Sequence, residues 1–403
     1  MEPTIRDIEA AGKRFEGVIH PSPFIRTSYF SRLYGSEIFL KLENLQETGS
    51  FKVRGAYNRL YLLSPEEKEK GVIAASAGNH AQGVAWASTR LGIQSTIVMP
   101  EDVSLRKLLA VKEYGGEVIL FGHHYGEAYD HAREISRKTG QILIPGFDDP
   151  HVIAGQGTIG LEMSDTLGDD VAIVASIGGG GLISGIAMAA KTLHPRIRIV
   201  GVQTKSCPST IRSLEQKRPV QVEMRPTLAD GIAVSRPGDL NFSIIQKYVD
   251  EVVAVGEEEI AGAILNLLEK GNIIAEGAGA APLAAFMEGL IHTKAKRYIL
   301  VISGGNIETN TIDRILQRGS LKMGRLIRIE VNILDAPGSL WNLLGIIAKA
   351  KANILQIFHN RLDLENPIQV SRVVLNLETR GHDHGQEVMD QLKKAGYDVR
   401  QIL

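Results

Sequence analysis

The stretch Ser50-Phe51-Lys52-Val53-Arg54-Gly55 decides how the rest of the chain is read. Most lysines are solvated surface charges. This one follows an aromatic ring, precedes a cation by two residues, and lies between Gly49 and Gly55. Glycines let backbone approach a ligand closely. A nearby cation and partial burial each lower a lysine's pKa, which frees the amine to attack an aldehyde. Lys52 is therefore a candidate Schiff-base nucleophile, and three distant stretches supply what a small cofactor with an anionic handle requires.

The strongest of these is Ser176-Ile177-Gly178-Gly179-Gly180-Gly181-Leu182, which follows an apolar strand at 171–177 and precedes a helix at 183–193. Successive glycines let backbone N–H groups converge, and the helix N-terminus adds a dipole that favours a phosphate. A tight strand-to-helix turn needs one or two glycines, not four. A dinucleotide would want an acidic residue at the end of the next strand, but that strand, 197–202, ends in Gln203, and no Walker lysine follows. A single phosphate on a smaller cofactor fits better. The second stretch, Ser76-Ala77-Gly78-Asn79-His80, again joins a strand to a helix. Its N–H groups suit a substrate carboxylate and the Asn79 amide suits a ring oxygen, although Ser and Asn are also ordinary helix caps. The third, Ser303-Gly304-Gly305-Asn306, ends the apolar strand 298–302. An uncharged hydroxyl facing a ring nitrogen leaves it largely unprotonated, which weakens an electron sink and suits β-elimination better than transamination.

The wider chain agrees. Its 403 residues suggest two or three domains, and 44% hydrophobic with 23% charged residues is an ordinary globular composition. A net charge of -1 gives no reason to expect nucleic acid or an anionic membrane as partner. The one cysteine, Cys207, excludes an intrachain disulfide, and a reducing, cytoplasmic setting fits. The first twenty residues show no signal peptide, and the apolar stretch 273–291 is interrupted by Glu276 and Glu288, so it reads as a buried element rather than a membrane span. Helices are expected at 7–17 and 53–63. Short apolar strands and helices then take turns from residue 71 to 144 and resume from 171 to 302, predicting parallel sheets covered by helices on both faces. Residues 319–324 read as a linker. Beyond it, Ile327, Ile329, Val331 and Ile333 alternate with polar residues, and a βαββαβ order follows, the ferredoxin-like plan. Its last helix is expected at 386–394 and its last strand at 397–403. His382 and His384 read as solvated, with no metal site.

Five motifs in order, the Lys52 stretch, the Ser76–His80 loop, the run Asp148 to Thr158, the tetraglycine turn and Ser303–Asn306, resemble the fold-type II pyridoxal-phosphate enzymes over residues 1 to about 320. Among these they are most similar to the threonine (serine) dehydratases. The resemblance implies a two-lobed α/β catalytic domain at 1–321, with a mobile small lobe at about 55–150. It implies that Lys52 holds the cofactor and removes the substrate Cα proton, and that Phe51 packs near the ring. Asn79 contacts the ring hydroxyl, Gly178, Gly179, Gly180, Gly181 and Leu182 bind the phosphate, and Ser303 faces the ring nitrogen. Ser76, Ala77, Gly78, Asn79 and His80 receive the substrate, and Glu276 lies nearby. The implied reaction converts L-threonine, and also L-serine, to the 2-oxo acid and ammonia. Serine racemases of the family carry a serine where Ala77 stands, and a racemase needs a base on each face of the carbanion. Those racemases also bind a divalent ion through an acidic residue where Gln203 stands. Ala77 therefore favours elimination over racemisation, and Gln203 speaks against a divalent-ion site there. Residues 325–403 resemble a single ACT domain, whose turn Asp335-Ala336-Pro337-Gly338 implies an amino-acid effector and pairing into a homodimer or homotetramer. A reading from another class, a non-catalytic amino-acid sensor, has no need to keep Lys52.

Overall fold

The apolar runs of strand length assemble as two parallel sheets. One has the order Phe24–Arg26, Glu37–Leu42, Arg297–Ile302, Val171–Ser176, Arg198–Thr204, Glu251–Val255, parallel throughout except for its antiparallel first strand. The other has the order Glu117–Leu120, Ser95–Met99, Val72–Ala75, Ile142–Leu143, all parallel. These belong to the first of two compact units, Met1–Ile307 and Glu308–Leu403, in a computed structural model that describes residues 2–362 and 366–402. The central strands Val72–Ala75 and Val171–Ser176 are buried along their whole length, because helices cover both faces.

The first helix, Ile5–Phe15, starts earlier than periodicity predicts. Thr4 and Asp7 form a capping box: the Thr4 hydroxyl accepts from the Asp7 N–H, and the Asp7 carboxylate accepts from the Thr4 N–H at 2.7 Å. The helix Lys52–Tyr61 begins at Lys52 itself and packs between the helices Asn79–Leu91 and Pro150–Glu162. Its crossing with the latter is so close that a Cβ on Gly155 would stand 2.6 Å from the Arg54 carbonyl oxygen.

Behind that crossing lies a largely buried charge cluster. All five N–H groups of the Arg54 guanidinium are used. Two go to the Glu43 carboxylate at 2.8 Å each, two to Glu162 at 2.5 and 3.0 Å, and one to the Thr158 hydroxyl at 3.0 Å. Lys41 donates to Glu162 and Ser22 to Glu43, both at 2.5 Å. Burial pushes the Glu43 carboxyl up, but the charge and hydrogen bonds of Arg54, with Ser22 and Lys41, outweigh it and hold the carboxyl below its usual range. The cluster ties the helix that carries Lys52 to the strand Glu37–Leu42 and to the helix Pro150–Glu162.

The second unit has the order Leu326–Leu334, Ser339–Lys349, Asn353–Asn360, Val370–Glu378, His382–Lys394, Val399–Gln401, with an antiparallel sheet ordered second, third, first, fourth strand. Ile327, Ile329, Val331 and Ile333 all face its core. Four expectations are corrected here. Residues 319–322 are not a linker but the end of the helix Thr309–Lys322, which stops where Gly324 turns the backbone to a φ of +64°. The last helix begins at His382 rather than 386. The last strand is shorter than expected, and Leu403 lies outside the described residues. His384 is buried, not solvated. Its Nδ1 accepts from the Arg380 N–H at 3.0 Å, so Nε2 donates to the Ala350 carbonyl at 2.8 Å.

Candidate active site

Lys52 opens its helix, and its amine reaches the backbone that follows the strand Ile142–Leu143. Nζ donates to the Gly146 carbonyl at 2.8 Å and lies 5.1 Å from the centre of the Phe51 ring. Burial lowers the amine to about 8, against the opposing pull of the Glu276 carboxylate. Roughly a tenth of an amine so poised is unprotonated at neutrality, far more than of an ordinary lysine, and that is the state a nucleophile or base requires.

The next residue after Gly146 brings the amine to the glycine turn. A Cβ on Gly179 would lie 2.4 Å from the Phe147 ring, and one on Gly181 would lie 3.1 Å from Phe147. On the other sides, a Cβ on Gly178 would meet Ile232 at 3.0 Å, and one on Gly180 would meet Asn241 at 2.8 Å. Gly180 stands at a φ of +103° and offers no side-chain cap to the helix Gly181–Leu193. The first-turn N–H groups of such a helix have no intrahelical partner. The turn therefore admits no side chain at any of the four positions, because protein already stands where each Cβ would go, and only backbone is presented ahead of the helix N-terminus. Phosphate is the group such a turn fits, and Lys52 is the amine an aldehyde beside it would meet. The Leu182 side chain is buried in the core and contributes only backbone to this turn.

Ser303 reaches the same place through a backbone pairing. Ser50 and Gly304 form an isolated antiparallel bridge, and the Phe51 N–H donates to the Ser303 carbonyl at 3.1 Å. Ser303 is therefore held against the residue preceding Lys52. Across from it, Asn79 Nδ2 donates to Glu276 Oε1 at 2.7 Å, and Asn79 Oδ1 accepts from Asn306 Nδ2 at 2.8 Å. Burial lifts the Glu276 carboxyl to about 7, with the Asp230 charge adding to it, while the Asn79 hydrogen bond and the charges of Lys107 and Lys52 pull it down.

The loop Ser76–Gly78 leads into the helix Asn79–Leu91. The Ser76 hydroxyl accepts from the Gly78 N–H at 3.1 Å, and Gly78 provides no side-chain cap. Ala77 is partly exposed in this loop. The His80 ring turns away: Nε2 donates to the Ile144 carbonyl at 3.0 Å, and burial, with the Lys52 charge, lowers its pKa to about 4. Its imidazole is a neutral, structural group, so only its backbone remains for a substrate. Gln203 is buried, and its Oε1 accepts from the Ile211 N–H at 3.0 Å. Among the described residues no group of three or more His, Cys, Asp and Glu side chains is arranged to hold a metal ion. In the second unit Asp335 accepts three hydrogen bonds from Arg361 at 2.8 to 3.0 Å, and Gly338, at a φ of +87°, begins the helix Ser339–Lys349. Pro337 lies between them in that turn.

Sequence reasoning missed Gly146, Phe147 and Asn241. Gly146 acts through its carbonyl, which carries no residue signature. Asn241 grips the Phe147 carbonyl at 3.0 Å from 94 residues away, a pairing no local pattern announces.

A profile described as pyridoxal-phosphate dependent enzyme matches residues 15–304. An L-threonine ammonia-lyase of Thermotoga maritima is 51% identical over 397 residues, 98% of this chain and 99% of that one. The processed form of threonine deaminase isoform 2 from Solanum lycopersicum superposes with a TM-score of 0.74 at 39% identity, covering 78% of this chain and 91% of that one. Maize serine racemase superposes with a TM-score of 0.74 at 30% identity, covering 80% and 99%. The profile spans both parallel sheets and the loops around Lys52 as far as Gly304, and with these likenesses the chain belongs to the pyridoxal-phosphate dependent enzymes.

Proposed function

We propose that the protein is an L-threonine ammonia-lyase that eliminates the β-hydroxyl of L-threonine to give 2-oxobutanoate and ammonia, and that also acts on L-serine. The observation that carries this reading is the Lys52 amine, lowered to about 8 and bonded to the Gly146 carbonyl, one residue before the Phe147 ring that packs on the tetraglycine turn. Bound pyridoxal phosphate supplies an electron sink that acidifies the substrate Cα–H. Lys52 would hold the cofactor, and its amine would take the substrate Cα proton. The N–H groups of Gly178 to Leu182 hold the phosphate. The Asn79 amide donates to the ring oxygen, and the Ser303 hydroxyl contacts the ring nitrogen without adding a charge. The loop Ser76–His80 receives the substrate carboxylate on the N–H groups of Ala77, Asn79 and His80, since those of Ser76 and Gly78 are held by the Val98 carbonyl and the Ser76 hydroxyl. The likeness to a serine racemase supports racemisation as a second reading, but Ala77 offers no base for the opposite face of the carbanion, so elimination is favoured. Steady-state assays with L-threonine and L-serine test this: 2-oxo acid and ammonia should form, with little D-amino acid. Predominant D-serine or D-threonine formation would reverse the assignment.

No helix among the described residues is long and apolar enough to cross a membrane. The one cysteine, which is buried, fits a reducing, cytoplasmic setting. Residues 325–403 act as an ACT regulatory domain beside a catalytic domain at 1–321. Asp335, Pro337 and Gly338 form its effector turn for an amino acid, and its pairing gives a homodimer or homotetramer. Titrating isoleucine and valine into the full chain and into a chain lacking 325–403 checks this. Turnover should survive the deletion and the response to effector should vanish. An unchanged response would remove the regulatory role.

A further inference from the structure

A line of hydrogen bonds crosses the cleft beside Lys52. Asn306 Nδ2 donates both to the Thr48 carbonyl and to Asn79 Oδ1, each at 2.8 Å, and Asn79 Nδ2 donates to Glu276 Oε1 at 2.7 Å. The two ends of an amide have the same shape, so its orientation is set by what its neighbours demand. Asn306 cannot turn over without aiming its oxygen at the Thr48 carbonyl, so it presents only a donor to Asn79. Two glycines give the line its space. A Cβ on Gly304 would lie 2.3 Å from Glu276 Oε1 and 3.2 Å from Asn79 Nδ2, and one on Gly49 would lie 2.5 Å from Asn306 Oδ1.

We infer that Asn306 is a positioning residue: it pins the Asn79 amide so that the free N–H of Asn79, and not its oxygen, faces the ring oxygen of the cofactor. The inference rests on the role given to Asn79 under the proposed function. Glu276 makes the same demand, but only while it is ionised and can act solely as an acceptor. Its carboxyl sits at about 7, and the groups facing it are Asn79, Asp230, Lys107 and Lys52, each from a different element. Below that pH the protonated carboxyl can donate to a reversed Asn79. Asn306 therefore holds the amide alone in acid, while in alkali either neighbour suffices.

The test compares wild-type and Asn306→Ala holoenzymes in two ways. One is kcat/KM for L-threonine against pH. The other is the balance of the two absorption bands of the bound cofactor, which reports whether its ring oxygen carries a proton. The variant should lie within about threefold of wild type near about pH 8.5 and fall a further ~10-fold or more near about pH 6. Its band balance should titrate near about pH 7, a transition absent from wild type. Adding Glu276→Gln, whose amide serves either orientation at any pH, should spread the acid-side deficit over the whole range. If Asn306→Ala does not fold, Asn306→Ser takes its place. A deficit that is flat with pH, with unchanged bands, would reduce Asn306 to a packing role and overturn the inference. Wild-type holoenzyme that turned over neither threonine nor serine would instead count against the proposed function. The band comparison would still decide the role of Asn306.

Discussion

Replacing Lys52 with alanine should lower threonine turnover by about ten-thousand-fold or more while leaving the fold in place. Proton transfer by a positioned side chain contributes ~10²–10⁴ in rate, and this variant also loses the covalent hold on the cofactor, so the two deficits compound. The fold should tolerate the change. Burial already disfavours the charged amine, which is why its pKa falls to about 8, and its one hydrogen bond, to Gly146, is with a backbone carbonyl at the cleft. The apoprotein's thermal transition should therefore match wild type. Turnover by the variant near the wild-type rate would remove Lys52 from the chemistry. A collapsed thermal transition would show that its role is structural.

The largest effect on stability is expected at Arg54, two residues along the same helix. Arg54 and Glu43 are fully buried, and Glu162 is mostly so. Breaking a buried ion pair by removing one partner costs about 3–5 kcal/mol, because the other charge is left without compensation. Arg54→Ala strands two carboxylates whose other hydrogen bonds come from Lys41 and from the hydroxyl and backbone N–H of Ser22, so a loss of about 3–5 kcal/mol is expected in urea unfolding. Arg54→Lys should lie between the variant and wild type, since it restores the charge but not the planar fork that satisfies both carboxylates. The pH dependence gives a second check. Glu43 is held below its unfolded value, so its contribution is present above the unfolded pKa of 4.5 and is lost as pH falls through the lower folded value. In Arg54→Ala that acid-side loss should shrink. A variant within about 1 kcal/mol of wild type would mean that the cluster carries no net stability.

Much of this architecture was legible in the sequence because its signals are local. Four consecutive glycines after an apolar strand announce a backbone cradle, and strict alternation at Ile327 to Ile333 announces a half-buried strand. What was not legible depends on partners far apart in sequence. The Glu162 carboxylate meets Arg54 from 108 residues away, and Asn306 meets Asn79 from 227. Any pattern search would count the arginine as a surface cation and the asparagine as a loop residue. His384 misled because its partners are backbone groups. The expected linker at 319–324 misled because a glycine and a serine can sit in a helix at a cost of about 1 kcal/mol or less each, which tertiary packing readily offsets. Orientation was not legible either: His80 lies in the expected loop, yet its ring points to Ile144.

The central claim is that one amine, at position 52, bears the aldehyde cofactor. Borohydride reduction of the holoenzyme, followed by digestion and mass mapping, tests it directly. The added mass of the reduced cofactor should fall on the peptide containing Ser50 to Gly55, at Lys52. Recovery of that mass on another lysine, or on none while the cofactor remains bound, would contradict the account.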